Sequence, residues 1–179
     1  MENPLLMHIF ALKSLSLVKY MNKERDKKFL ERAIELSKQG MEGGKGGPFG
    51  CIVVQGDAIV GEGNNMVTSS NDPTAHAEVV AIRQACEKLG TYQLNDCEIF
   101  TSCEPCPMCL GAIYWARPKR VVFANTREEA AEIEFDDDFI YNEINAKMED
   151  RKIPFIHYPH PKAREVFDAW KKWEGKTKY

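Results

Sequence analysis

Two short segments hold the residues able to do chemistry. One is Pro73-Thr74-Ala75-His76-Ala77-Glu78 and the other is Cys103-Glu104-Pro105-Cys106-Pro107-Met108-Cys109. Imidazole and thiolate donors suit a tetrahedral zinc ion. Cys106 and Cys109 are i and i+3, so on a helix they project from one face. His76 adds a third ligand from the opening turn of a different helix. Three protein ligands leave the fourth position to water, the mark of a catalytic site. Zinc lowers the pKa of bound water to about 7, which makes hydroxide available at neutral pH. Glu78 follows His76 by two positions, roughly 200° round a helix. It is therefore set to handle protons on a bound molecule and not to share the metal. Both segments open helices, where free amides and the positive dipole end favour thiolates and hydroxide.

Each half of this pattern has a plainer reading. A lone His-x-Glu carries no information, and a lone Cys-x-x-Cys fits a redox pair or half a structural zinc site. Together, with proline before the first cysteine, they form the signature of zinc nucleobase deaminases. A structural site has no use for Glu78. Cys103 is a rival ligand, because Cys103-x-x-Cys106 has the same spacing, but it is expected on a strand end before Pro105. Cys51, Cys86 and Cys97 read as small buried hydrophobes. His8, His157 and His160 lack a partner motif and read as structural or surface residues.

These ligands need elements to carry them, and the 179 residues suffice for one domain. Helical spacing predicts a helix over 23–41, closed by the glycines at 43–47. Strands are expected at 49–55 and 58–63, joined by Gly56-Asp57. Asp72-Pro73 reads as an N-cap with proline at the first helical position, opening a helix that runs to Leu89 and is capped by Gly90. A third strand at 97–102, a helix from Pro105 to Ala116 and a fourth strand at 120–124 follow. Residues 127–148 look helical with a break near Phe135, and 154–157 read as a short fifth strand. In 162–173, Ala163, Val166, Phe167, Trp170 and Trp173 form one apolar helical stripe, expected to be packed. The class is α/β: a central five-stranded mixed sheet with helices on both faces, in three layers.

The formal net charge of −3 lacks the basic excess of a dedicated nucleic-acid binder. Of six cysteines, three fall within 103–109, which is not the spread of a secreted disulfide scaffold and fits a cytoplasmic protein. Residues 5–18 are apolar-rich, but their longest uncharged run is too short to span a bilayer and lacks the basic start of a secretory signal. Residues 1–20 read as a dispensable extension or a misassigned start. The alternative is a short amphipathic helix packed on the domain or on a partner. The single zinc-dependent domain is expected over 21–179.

Around its ligand segments the chain resembles the cytidine and deoxycytidylate deaminase superfamily, and within it the bacterial guanine deaminase branch. The resemblance rests on the residues at 71–78 and 101–109. It extends over Gly46-Gly47-Pro48-Phe49-Gly50, over 112–118, and over Phe135-Asp136-Asp137-Asp138-Phe139-Ile140-Tyr141, and spans about residues 22–179. Glu134 departs from the pattern, standing where the family often has glycine. The resemblance implies a cytidine-deaminase-like fold, with one zinc per chain held by His76, Cys106 and Cys109. It implies that Glu78 moves a proton from the water to a ring nitrogen and later to the leaving ammonia, turning guanine into xanthine. Asn65 would donate or accept at a ring edge, and Asp137 would accept from guanine N–H groups, since a carboxylate is an acceptor-only group. Phe49 and Phe135 would stack on the base or serve as core. Tyr179, at the chain's C-terminal end, would reach an active site, in homodimers that exchange this segment. No membrane and no nucleic acid is expected as partner. A transfer-RNA adenosine deaminase is the rival from another class. It needs phosphate contacts from Lys and Arg, whereas 127–138 is strongly acidic with Arg127 its only base. A guanosine or other nucleoside deaminase is the nearer alternative.

Overall fold

The computed structural model describes the backbone of residues 4–179 and the side chains of residues 23–179. The expectation that residues 1–20 are a dispensable extension lies outside the described side chains. Helix α1 (Pro4–Glu42) turns Phe29, Ala33, Leu36 and Gly40 onto one face, a 4-3-4 spacing that a helix stacks in a row. That face lies on a sheet of four strands: β1 (Gly50–Gln55), β2 (Ala58–Asn64), β3 (Cys97–Cys103) and β4 (Arg120–Asn125). Their order is β2-β1-β3-β4. The β1 strand pairs antiparallel with β2 and β3, while β3 and β4 run parallel. The sheet is therefore mixed.

Alternation along the strands divides the core in two. Ile52, Val54 and Phe100 point to α1, where Phe29 meets Phe100 at a ring-centroid distance of 5.3 Å. Cys51, Val53 and Ile99 point the other way, to α3 (Ala77–Leu89) and α4 (Pro107–Ala116). Burying one such aliphatic side chain stabilises the fold by about 1.5–3 kcal/mol. The three-layer α/β/α arrangement is thus the expected one.

One contact fixes the helix that carries His76. Ala77, Ala81 and Ala85 form the buried face of α3, and Gly61 and Gly63 of β2 lie under it. A Cβ at Gly63 would stand 2.3 Å from the Ala77 carbonyl oxygen. Glycine there lets the strand backbone meet the first turn of the helix directly.

Four expectations need correction. Among the described residues the sheet has four strands, not five, because 154–157 has no hydrogen-bonded neighbour in the chain. Phe155 and Ile156 are exposed there, and a short apolar run without a ladder partner does not make a strand. The α3 helix starts at Ala77, later than expected, with His76 as N-cap. Asp72 instead closes a local turn, accepting from the Thr74 amide at 2.8 Å and hydroxyl at 2.7 Å. The α4 helix likewise begins at Pro107, after Cys106 as N-cap. The stripe of α7 (Pro161–Lys172) is helical as expected, but Val166, Phe167, Trp170 and Trp173 are exposed.

The break near Phe135 is present, between α5 (Arg127–Glu132) and α6 (Asp138–Asn145). A four-residue helix, α2 (Val67–Ser70), is too short for periodicity to signal. All six cysteines are free. No helix among the described residues is long and apolar enough to cross a membrane.

Candidate active site

His76 and Cys106 are both N-caps, of α3 and α4, and neither spends its side chain on capping. Pro107 presets the first turn of α4, and Cys109 follows on its third position. The two helix starts converge. His76 Nδ1 lies 3.5 Å from Cys106 Sγ and 3.6 Å from Cys109 Sγ. A tetrahedral zinc ion with ordinary Zn–N and Zn–S bonds sets such N···S edges at about 3.6 Å. The donor set and its spacing thus fit one zinc ion, and all three ligand atoms lie within 4.8 Å of one another.

The thiols are strongly polarised. Hydrogen bonding with Cys109 draws the Cys106 thiol well below its ordinary value, against burial and with help from His76. Cys109 is pushed up by the same bond, by burial and by Glu78. The Cys106 hydrogen bond in turn raises His76. Cys103 is no part of this group. Burial and Glu78 push its thiol up to about 11, and its sulphur donates to the Thr126 carbonyl at 3.6 Å. The rival ligand assignment is therefore set aside.

Glu78, on the first turn of α3, is buried, and burial raises its carboxyl above the ordinary value. Its Oε1 accepts from the Thr101 hydroxyl at 3.1 Å, and its Oε2 lies 3.3 Å from Cys109 Sγ. Thr101 was missed in the sequence. Its only signal is a hydroxyl in the inward row of β3 that also holds Cys97 and Ile99.

His76, Glu78, Cys106 and Cys109 line a cavity of 390 Å³. Asn65, Asp137, Phe49 and Phe135 line it too, as expected. Asn65 is buried, and its Oδ1 accepts from the Gly47 amide at 3.3 Å and from the Val67 amide at 3.2 Å. Its carbonyl is thereby committed. Its amide nitrogen has no hydrogen-bond acceptor among the described residues, and the residue lines the cavity, where that nitrogen can serve as a donor. The glycines before it make room. A Cβ at Gly46 would stand 2.3 Å from Asn65 Oδ1, and one at Gly47 would stand 2.8 Å from Phe135 Cζ. Phe49 and Phe135 meet edge to face, 4.9 Å between centroids.

Of the three consecutive acids, one is free. Asp136 accepts from the Asp138 amide at 2.9 Å, and Asp138 accepts from Asn142 at 3.1 Å. Asp137 makes no capping bond at the start of α6. Burial and the Cys106 charge raise its carboxyl. Glu134 holds a left-handed φ of 71°, a backbone that glycine adopts without strain. Tyr179 is the expected site residue that the chain does not bring to the cavity. It sits on the outer side of α3 and α4, with ring centroids 6.4 Å from Tyr92 and 5.9 Å from Trp115.

The chain is similar to guanine deaminase of Bacillus subtilis, 56% identical over 151 residues, which cover 84% of this chain and 97% of that one. The crystal structure of a Bacillus subtilis guanine deaminase superposes with a TM-score of 0.83 at 55% identity, covering 86% of this chain and 98% of that one. A variant protein solved in complex with 8-azaguanine is more distant, with a TM-score of 0.60, 33% identity and 63% and 65% coverage. A tRNA-specific adenosine deaminase of Aquifex aeolicus is 31% identical over 79% of this chain and 91% of that one. Residues 23–125 match the family described as the cytidine and deoxycytidylate deaminase zinc-binding region, and the chain belongs to that family.

Proposed function

We propose that the protein is a zinc-dependent hydrolase that converts guanine and water to xanthine and ammonia. The observation that carries this reading is the pairing of an uncommitted acceptor, Asp137, with an uncommitted donor, Asn65 Nδ2, across a cavity that ends at His76, Cys106, Cys109 and Glu78. Guanine matches that pairing. Its N1–H and 2-amino group are donors for the Asp137 carboxylate, and its ring acceptors suit the Asn65 amide. Phe49 and Phe135 supply the apolar wall for a planar base.

Zinc held by His76, Cys106 and Cys109 supplies the acidification of water at neutral pH. Glu78 takes the proton from that water as the oxygen adds to C2 of the base, and delivers it to a ring nitrogen. The same carboxylate then carries the proton of the hydroxyl added at C2 to the departing amine, so that the C2–N bond breaks, ammonia leaves and the C2 carbonyl forms. Burial favours the protonated form of Glu78, which suits a group that must carry a proton between two partners. The surrounding acids disfavour phosphate-bearing substrates by charge repulsion. Arg127, the one base among them, is paired with Glu128 at 3.1 Å.

We also propose a cytoplasmic homodimer that exchanges its C-terminal segment. The free state of all six cysteines suits a reducing compartment. The uncovered stripe of Val166, Phe167, Trp170 and Trp173 supports an intermolecular contact, since so contiguous an apolar face is costly in water. The exchange would also carry Tyr179 toward the active site of a second copy.

The test is kcat/KM for guanine, guanosine, adenine and cytidine, in wild type and in Asp137→Ala. A site built on such hydrogen bonds discriminates by up to about 10⁴–10⁵. Guanine should lead, and the variant should lose most of that preference while keeping its zinc. A guanosine preference, or unchanged guanine turnover in the variant, would replace this reading.

A further inference from the structure

The two oxygens of Glu78 have different surroundings. Oε1 accepts from the Thr101 hydroxyl at 3.1 Å, while Oε2 lies 3.3 Å from Cys109 Sγ. A cysteine that binds a metal does so as thiolate and has no proton to give. Once Cys109 is a ligand, the Thr101 hydroxyl on Oε1 is the one side-chain donor left to the carboxylate among the described residues, beside the residue's own backbone amide. We propose that Thr101 is a positioning residue, whose hydroxyl fixes the Glu78 carboxylate so that Oε2 is the oxygen presented to the reacting proton.

The side chain of Glu78 cannot do this alone. Its terminal torsion is broad and roughly two-fold, so the two oxygens exchange easily unless one is held. Thr101 is well placed to hold it. It sits on β3, between β1 and β4, opposite Cys51, and is buried. A β-branched side chain has few χ1 choices on a strand. Its single hydroxyl proton has two acceptors in reach, Glu78 Oε1 at 3.1 Å and the Gly50 carbonyl at 3.4 Å. The nearer one bears charge when ionised and wins the proton. Thr101 does not line the cavity and so touches no bound base. Its influence must pass through Glu78, and the effect belongs in kcat and not in KM.

This inference rests on the proposed role of Glu78 in deamination. The experiment compares zinc-loaded wild type, Thr101→Val, Thr101→Ala and Thr101→Ser in steady-state kinetics and in crystals. Loss of a hydrogen bond to a charged group should lower kcat in the Val and Ala variants by roughly 10–100-fold. KM should stay within about twofold and zinc at one per chain, because uniform binding is untouched. Thr101→Ser should recover most of kcat. In crystals of the Val variant the Glu78 carboxylate should be turned or split between two orientations, with His76, Cys106 and Cys109 unmoved. Wild-type kcat in Thr101→Val overturns the proposal. So does an unmoved carboxylate, or a serine variant as slow as the valine one. Wild type that releases no ammonia from guanine overturns the functional reading instead, and the crystallographic comparison still decides the role of Thr101.

Discussion

Asn65 offers a way to separate a ligand contact from a loop brace, because its two amide atoms have different jobs. Oδ1 ties the Gly47 and Val67 amides together, and Nδ2 faces the cavity. Asn65→Asp keeps both acceptor bonds and removes only the donor, whereas Asn65→Leu removes everything. Two half-buried amides without an acceptor cost up to about 1–3 kcal/mol each. The leucine variant should therefore lose up to about 2–6 kcal/mol of stability, while the aspartate variant stays close to wild type in urea unfolding. Activity should sort differently. Without its donor, and with a carboxylate oxygen set against a ring acceptor, the aspartate variant should lose about 2–4 kcal/mol of transition-state binding. That is roughly a 30- to 1000-fold fall in kcat/KM for guanine. Zinc content serves as the control, since Asn65 is not a ligand. An aspartate variant that folds, holds zinc and turns over guanine at the wild-type rate would show that Nδ2 contacts no base. Asn65 would then be a brace for the loops on either side of it and nothing more.

Two further outcomes are expected. Cys106→Ala should lose both zinc and activity, and Cys103→Ser should keep both, as read by metal analysis of the purified proteins. Burial alone would raise the Glu98 carboxyl, but Arg120 and Arg25 outweigh it and hold it below its ordinary value. A depressed carboxylate stabilises the fold above its unfolded pKa, and that contribution is lost as pH falls through the folded value. The Tm difference between wild type and Glu98→Gln should be full at neutral pH and close below about pH 4.

The metal group was legible in the sequence because its spacing is local. Cys106 and Cys109 are three residues apart, and proline marks the start beneath them. The β1–β2 hairpin was legible for the same reason, through Gly56-Asp57. Groups whose meaning lies in a distant contact were not. Thr101 matters through a carboxylate 23 residues away. The commitment of Asn65 Oδ1 depends on Gly47, 18 residues before it. The α3 start was misread because Asp72 satisfies its turn chemistry at Thr74, and an Asx turn resembles an N-cap in sequence. The segment at 154–157 failed for another reason. Its apolar residues suit a strand, while a ladder also needs a neighbouring backbone. Tyr179 lies away from the cavity and the stripe of α7 is exposed, and no residue close by in the sequence signals either outcome. Glu134 adopts the left-handed backbone that glycine usually provides, so its departure from the family pattern changes the residue and keeps the turn.

The pattern of polar burial shows where this fold gives up stability for chemistry. Among the described residues the buried polar side chains are Asn65, Glu78, Thr101 and Ser102. Each is engaged: Thr101 with Glu78, Ser102 with the Gly50 amide at 3.0 Å, and Asn65 with Gly47 and Val67. Elsewhere the two halves of the core are apolar, from Phe29 and Phe100 on one side to Ala81 and Ile99 on the other. A buried polar group without its partner costs about 1–3 kcal/mol, so each of these four depends on the bond it makes. Glu78 and Asn65 line the cavity with His76, Cys106 and Cys109, and Thr101 reaches it through Glu78. The stability of the sheet and the precision of the site therefore draw on different residues. Mutations in the apolar core should lower Tm with little change in the kcat of the folded fraction, while conservative changes at Thr101 or Glu78 should do the reverse.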